Sequence, residues 1–325
     1  MKTLTPETLD ALVKPAPRLP LLAGWLLSDV WSSDRFSRLA PADYLKEGES
    51  LVHHMEELLA TAAWRVYDEL ASAAAATGLL TPRLDASTVM VVFDGLSLRE
   101  VPLLLSLAAE SHCRVAAPVR TSYAALPSDT LSFVEQRLIG KPVTPKLLPQ
   151  RAELKDKSIT AFYLNDVSSS QHIGACDHNG LLIWSAFPDV TYRDSSARFD
   201  RHFETMCSLL GIAWKNTVMQ APRGRRIIIT SDHGYAYLGA GLAATRATAM
   251  CDALGQDRFK VFAANEPLPD PGIERDVQLI ADRRLVMLRG RLKNRPQGHS
   301  ANLLYRHGGM SLMEMLVPWI ELEQQ

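Results

Sequence analysis

Short unbroken apolar runs alternate with segments of helical spacing over most of this chain. TVMVVF at 88–93 is continuous, valine-rich and only six residues long, as suits a strand covered on both faces of a parallel sheet. CRVAAPV, ITAFYLN, GLLIWSAF, RRIIITS and FKVFAA read as further strands. Between them LREVPLLLSLAAE and SSARFDRHFETMCSLL carry helical periodicity, and Ser97 and Glu100 are spaced as a capping box. This alternation predicts an α/β fold with a mostly parallel central sheet and helices on both faces. Residues 1–85 differ in character. Leu51, Met55, Leu58, Ala62, Val66 and Leu70 fall at helical spacing, with Gly78 as a stop, and TPRLDAS then breaks the pattern. The chain thus divides into an N-terminal helical segment, 1–85, and an α/β domain, 86–325.

In parallel sheets ligands sit beyond the carboxyl ends of the strands, so the strand ends are where chemistry is expected. TVMVVF ends in Asp94 and a glycine, GLLIWSAF ends in Pro188 and Asp189, and RRIIITS ends in Asp232, His233 and Gly234. One Asp-Gly after a strand also reads as a plain turn. Three acids and a histidine at strand ends read better as a ligand set. LPSDT at 126–130 leads into a helical pattern and places Thr130 near a helix N-terminus, where partial positive charge favours an anion. Ser128, Asp129 or Thr130 also reads as a simple N-cap. Late in the chain His307 precedes two glycines in YRHGGMSLMEMLVPWI. That turn could bring its imidazole to a metal or could merely be a loop.

FDG, LPSDT, TSDHGY and RHGGMSLMEMLVP together resemble the PglZ domain, a branch of the alkaline phosphatase superfamily. The resemblance runs from about residue 86 to the C-terminus, and its strongest pieces are the DHG block and the final block with Ser311, Glu314 and Pro318. It implies an alkaline-phosphatase-like sheet and a two-metal phosphoryl-transfer site. Asp94, Thr130, Asp232 and His233 would surround one divalent ion, with Thr130 both ligand and nucleophile. Asp189 and His307 would serve the other, joined by Asp194. Asp166 with His172 is the alternative pair and His299 a spare candidate. His53, His54, His112, His178 and His202 read as structural or solvent-facing. Mixed carboxylate and imidazole ligands suit zinc or manganese. The C-x-P-x-R motif of sulfatases is absent. The interval from Gly140 to Ile159 is too short for the capping domain a phosphomutase needs.

Composition changes the picture little. Lys plus Arg number 35 against 36 Asp plus Glu, so no global field draws the chain to nucleic acid or membranes. The four cysteines form no CxxC pair, the N-terminus has no apolar signal core, and LPLLAGWLL is too short to span a bilayer. A cytoplasmic chain without membrane association is expected. The basic stretch ADRRLVMLRGRLKNRPQG suggests substrate contacts from Arg291 and Lys293, and Arg306, beside His307, is a third candidate for substrate contact. That stretch reads equally as a strand with a basic solvated face. The expected activity is that of a metal-dependent phosphodiesterase or phosphatase. The resemblance extends its substrates to nucleotides or oligonucleotides and its setting to phage defence or signalling, with protein partners there. The alternative is a PglZ-like scaffold docking through Trp25, Trp31 and Trp64.

Overall fold

The computed structural model describes residues 17–168, 179–192, 199–238, 244–245, 257–268, 276–293 and 305–324, with 10, 12, 14, 173 and 254. Its centre is a mixed seven-stranded sheet. Strands β1 (Thr88–Asp94), β2 (Cys113–Val115), β3 (Arg120–Tyr123), β4 (Ile159–Leu164), β5 (Gly180–Pro188) and β6 (Arg226–Ser231) are joined by a C-terminal strand, Leu316–Gln324. The order is β2, C-terminal strand, β6, β1, β5, β4, with β3 also on the C-terminal strand. β6, β1, β5 and β4 run parallel. The C-terminal strand is antiparallel to β6.

All seven residues of β1 and all nine of β5 are buried. Alternate side chains serve opposite faces, because a strand has a period of two. Val89, Val91, Phe93, Leu181, Ile183, Ile227 and Ile229 join one apolar cluster. Met90, Val92, Leu182, Trp184 and Ile228 join another, with Phe133, Val134 and Leu138. The continuous apolar runs therefore mean what they suggested, a sheet covered on both sides.

The N-terminal helices form one of the covering layers. Leu22, Leu26, Val30, Tyr44, Val52, Met55 and Leu59 share the apolar cluster of Val89, Val91 and Phe93. The apolar pattern expected to run on from Leu51 to Leu70 is split between Pro41–Ala62 and Arg65–Ala76. Near the end of the first helix the Thr61 hydroxyl approaches the Glu57 and Leu58 carbonyls, a contact that competes with helix continuation. Trp31 is buried against Tyr44, so it presents no docking surface, whereas Trp64 is exposed. FKVFAA is not in the main sheet. Phe259–Val261 forms a separate antiparallel sheet with Val277–Ile280 and Leu285–Leu288. Among the described residues no helix is long and apolar enough to cross a membrane.

Glu56 ties this helical layer to the end of the chain. Its Oε1 accepts from the Leu312 amide at 2.6 Å and its Oε2 from the Tyr67 hydroxyl at 2.7 Å. Burial pushes its pKa up from 4.5 to about 7. The folded state therefore holds this proton more tightly than the unfolded state. The associated stability is present below pH 4.5 and is lost as pH rises through 7. Glu56→Gln, which has no such proton to lose, is expected to gain on wild type by about 2–3 kcal/mol between pH 5 and 8. Denaturant melts of both proteins at the two pH values check this. Parallel pH profiles would contradict it.

Candidate metal centre

Because β1, β5 and β6 run parallel, their carboxyl ends share one edge of the sheet. That edge gathers Asp94, Asp189, Asp232 and His233. Asp94 closes β1, Asp189 opens a short helix after β5, and Asp232 follows β6. The C-terminal strand runs the other way, so the chain leading into it, including His307, reaches the same edge.

Backbone amides orient Asp232, and side chains orient Asp94. Asp232 Oδ1 accepts from the Gly95 and His233 amides, both at 2.9 Å. This leaves Oδ2 to accept from the Thr130 hydroxyl at 2.8 Å. Asp94 Oδ2 accepts from Trp184 Nε1 at 3.3 Å, and its Oδ1 lies 3.4 Å from Thr130 Oγ1. Gly95 has φ +74°, and a Cβ there would press on Asp189 Cβ at 3.2 Å. Gly234 is tighter still, since a Cβ would lie 2.0 Å from the Met313 carbonyl oxygen. The glycines after Asp94 and His233 let two backbone segments pass close enough to set the acids.

The histidines are fixed as tautomers. His233 Nδ1 lies 2.9 Å from the Gly234 carbonyl, and His307 Nδ1 lies 3.3 Å from the Ser128 carbonyl. A carbonyl only accepts, so Nδ1 carries a proton, and in the neutral ring Nε2 is left with a lone pair. His233 Nε2 lies 3.4 Å from Thr130 Oγ1, 3.5 Å from Asp232 Oδ2 and 3.7 Å from Asp94 Oδ1. His307 Nε2 lies 3.9 Å from Asp189 Oδ1, and its ring stacks on His233 with centroids 3.9 Å apart.

Two ligand groups result, Asp94–Asp232–His233 and Asp189–His233–His307, each with its donor atoms within 4.8 Å of one another. These buried Asp and His groups could hold a metal ion. Carboxylate oxygens and imidazole lone pairs are all acceptors, and packing them together favours a cation among them. The ionisations show the same crowding. Burial, then the charges of Asp232 and Asp189, raise the Asp94 pKa well above the carboxylate range. Burial opposes the charging of His233, but Asp232 and Asp189 outweigh it and its pKa is raised. Burial and neighbouring His233 lower that of His307.

Thr130 is the first residue of a helical segment, Thr130–Phe133, that continues through Val134–Ile139. Asp129 is the N-cap and accepts from the Ser132 amide at 2.7 Å. Ser128 has a different task. Its hydroxyl donates to the Gly309 carbonyl at 2.7 Å and accepts from the Gly308 amide at 3.0 Å, fastening LPSDT to the His307 turn. Trp184, Ser128 and Arg258 were not foreseen in these supporting roles. Arg258 binds Glu314 through Nε at 2.7 Å and Nη2 at 2.8 Å, and Glu314 Oε1 also accepts from the Gly309 amide at 2.9 Å.

The remaining candidates fall elsewhere. Asp194, His172 and His299 lie outside the described residues, as does the Lys293 side chain. Asp166 is exposed and accepts from the Ser168 amide. Arg291 does not join the centre. It is buried, pairs with Glu49 at 2.6 Å and donates to the Tyr237 carbonyl. Arg306 does adjoin the centre. It lines a cavity of about 230 Å³ with Asp189 and His307. No protein-family model matches this chain, and no curated protein matches it.

Proposed function

We propose that this protein is a metal-dependent phosphodiesterase or phosphatase that uses Thr130 as its nucleophile. The observation that carries the reading is the placement of Thr130 Oγ1, 2.8 Å from Asp232 Oδ2 and 3.4 Å from both Asp94 Oδ1 and His233 Nε2, at the start of a helix. A hydroxyl held against two carboxylates and an imidazole lone pair is poised to be deprotonated once a cation offsets the acids. The resemblance to the PglZ domain supports the same class of chemistry and extends it to nucleotide or oligonucleotide esters in a defence or signalling setting.

Asp94, Thr130, Asp232 and His233 would hold one divalent ion, and Asp189 and His307 the other. When bound, such ions polarise phosphoryl oxygens and offset charge on the attacking and leaving oxygens. The chain's own residues do the rest. Thr130 Oγ1 attacks phosphorus and passes its proton to Asp232 Oδ2. The bond from phosphorus to the leaving oxygen breaks, its electron pair stays on that oxygen, and water supplies a proton. A second water then adds to the phosphothreonine, and Thr130 Oγ1 departs with a proton regained. Zinc or manganese suits this donor set.

Hydrolysis of bis-p-nitrophenyl phosphate with zinc or manganese tests the reading. Turnover is expected with added metal and is expected to vanish on chelation. Equal rates with metal and with chelator would overturn it.

A further inference from the structure

The cavity beside His307 holds a cation that the ligand geometry does not use. Arg306 is half-buried in its wall, next in sequence to His307. Its backbone is fixed by pairing of Arg306 with Ala236. Among the described residues its guanidinium has no hydrogen-bond or ion-pair partner. Asp257 shares the cavity and acts on Arg306 through space, but lies beyond ion-pair distance. Arg258, the other cation in the wall, is already spent on Glu314 and on the Gly290 and Leu292 carbonyls.

The position of the cavity gives this cation a use. Thr130 stands in the Asp94–Asp232–His233 group, whereas the cavity contains Asp189 and His307 from the other group. In-line displacement puts the leaving oxygen opposite the nucleophile, hence toward Asp189 and His307. What lies beyond those two residues is the space for the leaving group. Phe259, Tyr192 and Tyr305 line it, so an aromatic ring fits there as well as an anion.

We infer that this cavity is the leaving-group subsite and that Arg306 selects substrates whose leaving group carries its own anionic group, a phosphate or carboxylate, through a charge-assisted hydrogen bond. The inference rests on the phosphoryl-transfer reading above, and its test separates the two. Two methyl phosphodiesters that differ only in the leaving phenol serve as substrates, one releasing 4-nitrophenol and one releasing 5-hydroxy-2-nitrobenzoate. Wild type is expected to prefer the carboxylated diester at least about tenfold in kcat/KM. Arg306→Met is expected to lose at least about tenfold more on that diester than on the one without the carboxylate. No preference in wild type, or a preference that survives in Arg306→Met, would overturn the inference.

A second readout does not depend on turnover. 5-Hydroxy-2-nitrobenzoate is titrated calorimetrically into wild type and Arg306→Met, with 4-nitrophenol, which lacks the carboxylate, as the control. At least a tenfold rise in Kd for the carboxylate in the variant supports the subsite. Equal Kd values, or no binding to wild type, sink it. If neither diester is hydrolysed with either metal, the catalytic reading fails, and the titration still decides whether Arg306 binds an anionic phenol.

Discussion

Thr130→Ala is expected to lower metal-dependent turnover of bis-p-nitrophenyl phosphate on the order of a thousandfold or more, while the folded protein still binds metal. Removing a covalent nucleophile removes the reaction path, and only residual positioning and electrostatic terms remain. Metal binding should survive because Asp94, Asp232 and His233 form a complete ligand group without the threonine. Folding should survive because Thr130 is only partly buried and the helix start is capped by Asp129, not by Thr130. Thr130→Ser keeps a hydroxyl on the same backbone position and is expected to retain a measurable rate. Turnover that persists unchanged in Thr130→Ala would remove Thr130 from the chemistry, whatever the metal content.

The second large effect is on stability. Arg258→Met should destabilise the protein by about 3–5 kcal/mol, the range for removing one partner of a buried ion pair. Glu314 is fully buried and holds the Gly309 and Ser311 amides as well as Arg258. Without the guanidinium its charge has no ion-pair partner among the described residues, and the Gly290 and Leu292 carbonyls lose this donor. The double variant Arg258→Met with Glu314→Gln should recover part of the loss, since glutamine removes the unpaired charge and still offers an oxygen to one of those two amides. Denaturant unfolding of wild type, the single variant and the double variant measures both effects. A single-variant loss below about 1 kcal/mol would show that the pair does not anchor the His307 turn.

Much of the candidate centre was legible because it is built from local patterns. An apolar run followed by Asp, by Pro-Asp or by Asp-His-Gly marks a strand and its end in one glance. The parallel arrangement of β1, β5 and β6 then places those ends on one edge. Ser97 and Glu100 form the expected capping box for the same reason, since all of its parts lie within four residues.

What stayed hidden depends on pairing across the chain. Arg258 sits between Asp257 and Phe259, and nothing local announces that it is buried against Glu314, 56 residues away. Glu49 and Arg99 form another buried pair, which links the N-terminal helices to the Tyr235 carbonyl beside the centre. The C-terminal strand was masked by Pro318, which argues against a central strand. Its ladder to β6 begins only at Trp319, so the missing amide is not needed there. FKVFAA has the look of a core strand, yet it pairs in a separate small sheet, with Phe259 packed on the main apolar cluster, Val261 exposed and Phe262 in a small cluster of its own.

The most direct measurement is the stoichiometry of zinc or manganese bound to the metal-free protein, by equilibrium dialysis with elemental analysis, for wild type and for Asp232→Asn and His307→Ala. Two equivalents are expected in wild type. Asp232→Asn should lose the ion at Asp94 and Thr130, and His307→Ala should lose the one at Asp189. Wild type that binds neither metal, or variants that bind both ions as tightly as wild type, would contradict a two-metal centre at the mouth of the sheet.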